Sequence, residues 1–312
     1  MEKEIFSKNC GYEIFNLIEK CKSLRKKYGE KVFEVEESKY EFIKFSEKIL
    51  KSFERVECFN DKNRPYIFFD IFVTSYLRYI DGKVVREFNN NPDNNRALVT
   101  LLYSAIKKHE IIVNLLECEE YENGLILFRS FYENMIILQF LQNHKECIAD
   151  FEKYSVYKLS KLSKKSFDQI LKKDEHQSIK YQFDTSKMNK DYGWADQVFK
   201  KDKIMFYNIV EKVFEKDHEL MNKMRDIYEI VSDLVHSNTC ALNDALFRDI
   251  LYIKLLACLS SFGIPMIKNN FYNLFKNTFD NKFSFEMEIF KEIFEYIIMC
   301  HEEPIRFWTS LS

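Results

Sequence analysis

With 312 residues, 46% of them hydrophobic and 31% charged, the chain is long enough to bury a sizeable core and too apolar to be disordered. Its 6 Gly and 4 Pro are too few for the turns of an all-β fold or the strand–helix junctions of a doubly wound one, which leaves long helices. A net charge of −2 supplies no global field for nucleic acid, so any such contact has to be local.

The helical pattern starts at once. Residues 2–28 read as an amphipathic helix closed by Gly29, and 36–59 as a second with a solvated charged face. Pro65 opens a third stretch, Tyr66–Ile80, ended by Asp81-Gly82. Asn89-Asn90-Asn91-Pro92-Asp93-Asn94-Asn95 is the clearest loop and the best boundary. It divides an N-terminal helical region, 1–90, from a main helical bundle, 91–312. The expected architecture is therefore all-α, a multi-helix bundle with an N-terminal helical extension.

From about Asp93 a long helix reaches Leu116, and residues 118–143 follow after a very short connection, which predicts an antiparallel hairpin. The second of these helices is apolar nearly all the way round, yet holds Arg129 and Glu133 four residues apart. The expectation is a pair held in a polar pocket at the bundle core. It is either a strut that fixes register or a place where Arg129 takes an anionic group such as phosphate and Glu133 orients it. Residues 146–171 give a further helix. Its lysines from 158 onward, interleaved with Tyr and Phe, read as a solvated face before a phosphate-tracking one.

Next comes Asp191-Tyr192-Gly193-Trp194-Ala195, a turn flanked by two large aromatics. Helices are expected over 196–216, 217–236 and 241–264, the last broken by Gly263 and Pro265, and then over 283–302. On 217–236, Arg225, Tyr228, Ser232 and His236 share one side, with Ile227, Ile230, Val231 and Leu234 as an apolar stripe opposite. That line of groups borders core and solvent, where a cleft would lie. His236 is its strongest candidate for proton transfer, since only His titrates near neutral pH unperturbed. Groups of this kind are also often just satisfied by hydrogen bonds.

Eight Cys without a C-x-x-C pair read as reduced, packed thiols of a cytosolic protein. The charged N-terminus lacks the apolar run of a signal peptide, and 125–141 carries too many polar groups to span a bilayer. His109, His144, His176, His218 and His301 show no metal-ligand spacing, and no nucleotide-binding or common hydrolase motif is present. Neither a metal nor a cofactor is expected.

Leu127-Phe128-Arg129-Ser130-Phe131-Tyr132-Glu133, the Tyr192-Gly193-Trp194-Ala195 run and Ser232-Asp233-Leu234-Val235-His236 together resemble a bacterial helical family of uncharacterised function, over roughly 95–260. Val231-Ser232-Asp233-Leu234-Val235-His236 is more distantly similar to the Arg-polar-x-x-x-His signature of HEPN domains. These are helical bundles, often metal-independent ribonucleases of toxin and phage-defence systems. The signature Arg position is Val231 here, so Arg225 or Arg129 would have to stand in for it. The resemblance implies RNA as substrate and His236 as general acid or base, with Arg225 or Arg129 on the phosphorane; Glu133, Tyr228, Ser232, Trp194 and Tyr192 are the candidates for binding or orienting. It also implies a homodimer with a shared site and a partner protein of a defence or toxin system, while the polar groups in 125–141 already argue for no membrane. The competing reading is a non-catalytic binding or regulatory module whose polar network is structural.

Overall fold

A computed structural model of the chain describes residues 96–163, 190–201, 203–235 and 244–278. Among these the architecture is all-α, with no strand. The expected helices before residue 90 and after 283, the 1–90 boundary and His236 lie outside the described residues.

Helices α1 (Arg96–Glu117) and α2 (Tyr121–Asn143) form the expected antiparallel hairpin. The connection is tight enough to put Glu119 at φ 62, a left-handed conformation that few non-glycine residues adopt. A 3-10 turn, Lys145–Cys147, leads into α3 (Ile148–Ser163). A second, Gly193–Ala195, precedes one helical turn, Asp196–Phe199. Then come α4 (Phe206–Val213), α5 (His218–Val235), α6 (Asp244–Cys258), a π turn (Leu259–Gly263) and α7 (Ile264–Thr278).

The hub is α2, which packs against α1, α4, α5, α6 and α7. It is apolar on so many sides because it has neighbours on so many sides. Phe128, Phe131, Met135, Ile136, Phe140 and Leu141 have no exposed surface. At Phe262, three of α2's rings meet one side chain of the π turn: Tyr132 at 4.8 Å, Phe128 at 6.1 Å and Phe131 at 6.4 Å between centroids. Such tilted and edge-on contacts suit the aromatic quadrupole.

Besides the helix expected over 196–216, which the structure divides into Asp196–Phe199 and Phe206–Val213 with Lys200 at φ 49 between them, two expectations need correction. Gly263 and Pro265 do not break the helix: α6 passes through the π turn directly into α7. Pro265 has no N–H to donate and its ring crowds the preceding turn, and the wider π turn just before it relieves both. The second concerns α2 itself, which is not dry all the way round. Arg129 and Glu133 keep 26% and 32% of their side-chain surface in solvent, so the pair stands at the rim of the bundle and not in a core pocket.

Candidate functional site

The rim position follows from the spacing of α2. Phe128, Phe131, Tyr132 and Met135 take the buried face, which turns Arg129, Ser130, Glu133 and Asn134 toward the seam where α1 and α5 flank α2. On the α5 side the Arg129 guanidinium makes three contacts. Nε donates to Glu133 Oε1 at 3.2 Å, Nη2 to the Tyr228 hydroxyl at 2.8 Å, and Nη1 to Ser232 Oγ at 3.5 Å. The Tyr228 hydroxyl in turn donates to Glu133 Oε1 at 3.3 Å. Arg129, Glu133 and Tyr228 thus close a triangle, with Ser232 at its outer edge by the longest and weakest bond. The guanidinium carbon also lies 4.8 Å from the Tyr228 ring centroid, a cation–π distance.

On the α1 side, Lys108 Nζ donates to both the backbone oxygen (3.2 Å) and the hydroxyl (2.7 Å) of Ser130, and Asn134 donates to Ser104 at 3.1 Å. Behind the seam stands a wall of rings. Phe206 contacts Tyr228 at 5.6 Å, Tyr132 at 5.8 Å and Tyr192 at 5.9 Å. Tyr192 is held at φ 58, a left-handed conformation costing on the order of 1 kcal/mol for a non-glycine residue, with the buried Gly193 after it.

This mixture of partial burial and one carboxylate sets the protonation states. Burial raises the Tyr228 hydroxyl, Glu133 raises it further, and Arg129 only partly offsets them. Burial, with Glu133 and Tyr228 adding to it, raises Tyr192, and burial with Tyr228 and Glu133 raises Tyr132. All three therefore stay neutral donors. Burial works against the Arg129 charge, but Tyr228 and Glu133 outweigh it and hold the guanidinium more firmly protonated. Burial lowers Lys108, with Glu133 pulling the other way.

Of the residues singled out from sequence, the seam brings together Arg129, Glu133, Tyr228 and Ser232, with Tyr192 close enough to feel Glu133. Arg225 is elsewhere: it is exposed and 3.8 Å from Glu229 on its own helix. Trp194 is 2% exposed, packed edge-on against Phe151 at 5.0 Å and Phe140 at 5.7 Å. Val231, the residue in the place of the signature Arg, is buried. It lies beside Tyr228 on the inward part of α5, so that part of the apolar stripe adjoins the polar line. His236 lies four residues beyond Ser232 in the chain, outside the described residues.

Sequence reasoning missed Lys108 and Phe206, and gave Ser130 no role beyond its place in the Leu127–Glu133 motif. Lys108 had a signal, a charge inside the apolar pattern of α1, whereas Phe206 had none among 30 Phe. Among the described residues no group of three His, Cys, Asp or Glu could hold a metal ion. None of the described helices is long and apolar enough to cross a membrane.

Residues 95–249 match a family of unknown function (DUF5677). No curated protein and no solved structure gives a significant match to the chain.

Proposed function

We propose that this protein is a HEPN-like helical protein of a bacterial stress or phage-defence system, cleaving RNA without a metal. One observation carries the chemical half of this reading. Arg129 reaches across from α2 to Tyr228 and Ser232, on the helix whose sequence continues four residues later to His236. In this reading Arg129 takes the place of the arginine missing at Val231. Arg129 takes this role in preference to Arg225, because Arg225 is paired on an exposed face and touches neither Tyr228 nor Ser232 in the described contacts. A partly exposed guanidinium with one long, weak bond can exchange the Ser232 hydroxyl for a phosphate oxygen, and the planar fork suits that anion. His236 would move the proton and Arg129 would stabilise charge building on the phosphorane. The setting in stress or defence rests on the HEPN resemblance of residues 231–236.

A second reading is favoured by a specific feature. Each guanidinium nitrogen already has a protein acceptor, and Glu133 balances its charge, as in a strut that locks α5 onto α2. Cleavage separates the two. Purified protein is incubated with mixed RNA, with and without EDTA, beside the Arg129→Lys and His236→Ala variants. Cleavage that survives EDTA and is lost in His236→Ala supports the nuclease. Intact RNA with folded wild type removes it and leaves the strut.

A further inference from the structure

Two cations share one carboxylate at the seam. Arg129 is bound to Glu133 and to the α5 side, while Lys108 feels Glu133 from the α1 side. Among the described residues Glu133 is the single carboxylate that acts on either cation. The groups bonded around them, Ser104, Ser130, Asn134, Tyr228 and Ser232, are neutral, so the seam is one positive charge in excess. Lys108 is the cation without an ion pair. It is partly buried, and both of its hydrogen bonds go to neutral oxygens of Ser130, the carbonyl and the hydroxyl. An ammonium has three protons to donate, and Ser130 takes two of them. Burial disfavours its charge, and Glu133 offsets this only in part. A tether between α1 and α2 does not require a charge: one turn along the same seam the neutral amide of Asn134 bonds to Ser104 at 3.1 Å. A partly desolvated ammonium with a spare donor gains most from an anion.

We infer that Lys108 is a second anion-binding group of the seam, which takes a ligand with two phosphoryl groups, one against Lys108 and one against Arg129. The Arg129 half rests on the reading above, whereas the Lys108 half does not require the ligand to be RNA. The two cations are anchored on opposite flanks of α2 and share no hydrogen-bond partner, so each takes a group of its own. In RNA these are neighbouring backbone phosphates; in a small ligand they belong to one polyphosphate.

The test is binding of a labelled single-stranded RNA oligonucleotide to the full chain over a range of salt. Inorganic triphosphate is titrated in parallel, and a melt is recorded for every protein. Lys108→Gln keeps an amide donor for Ser130 and removes the charge, so it should melt close to wild type. It should bind RNA about tenfold more weakly at low salt. Its slope of log affinity against log salt should be shallower by about 0.7, the share of one phosphate contact on a single strand. Lys108→Arg, which returns the charge, should return the slope. Lys108→Met removes charge and donor together and carries the test if the Gln variant melts early. RNA bound by wild type and variants with one common slope would overturn the anion role of Lys108 and leave the proposed function standing. Triphosphate bound by a wild type that ignores RNA, and weakened at least ~fivefold in the Gln variant, would keep the site and overturn RNA as its ligand. A folded wild type that binds neither would overturn both.

Discussion

At the scale of single residues, the defining feature is a guanidinium that bridges two helices at a half-wet edge. Burial is partial, so its worth is that of ordinary charge-assisted hydrogen bonds and not of a buried ion pair. Arg129→Ala and Tyr228→Phe should each lower stability by about 1 kcal/mol. Because they share one bond and Glu133, the double variant should lose about 0.5–1 kcal/mol less than the sum. Urea denaturation of the four proteins reads this, and strict additivity would mean that the triangle is not coupled in solution. The i, i+4 spacing of Arg129 and Glu133 was legible in the sequence, as was the shared side of Tyr228 and Ser232. Their exposure was not. An apolar helix looks equally dry whether or not two neighbours leave a gap along it, and only the packing of α1 and α5 decides that. Trp194 shows the same ambiguity in reverse, since a large aromatic in a polar turn can line a cleft or plug the core.

At the scale of elements, α2 organises the bundle because it can be approached closely. A Cβ on Gly124 would stand 2.7 Å from Leu255 Cδ2, and Leu255 on α6 is fully buried. Gly124→Val should therefore destabilise by ~1–3 kcal/mol through overpacking, despite valine's better helix propensity. The loss would appear as a lower urea midpoint with unchanged slope, and an unchanged midpoint would mean that α6 shifts freely. The hairpin of α1 and α2 could be read from two apolar patterns and a short connection. The run of α6 into α7 could not, because Gly263 and Pro265 are usually helix enders, and the π turn that accommodates them has no sequence signature of its own.

At the scale of the molecule, several buried or partly buried acids hold their protons more tightly in the folded chain than in the unfolded one. Burial pushes the Cys147 and Cys258 thiols up to about 12, and Tyr132, Tyr192 and Tyr228 are raised as well. A raised group contributes stability that is complete below its unfolded value and lost as pH climbs through its folded one. Free thiols titrate near 8.5 and free tyrosines near 10, so stability should hold to about pH 8.5 and fall through pH 9–12. Thermal melts at intervals over pH 7–11 check this, and a flat melting temperature above pH 9 would contradict it.

The central claim is that the seam between α2 and α5 is a place of chemistry and not only a joint. Arg129→Lys tests it most directly, because lysine keeps the charge but loses the planar fork that spans Glu133 and Tyr228 and that the proposed function gives to a phosphate. The measurement is RNA cleavage in EDTA by wild type and Arg129→Lys, each shown to be folded by its melt. Cleavage by wild type that falls at least ~100-fold in the variant, with little change in melting, is the result predicted. Equal cleavage by both, or none by folded wild type, would contradict it.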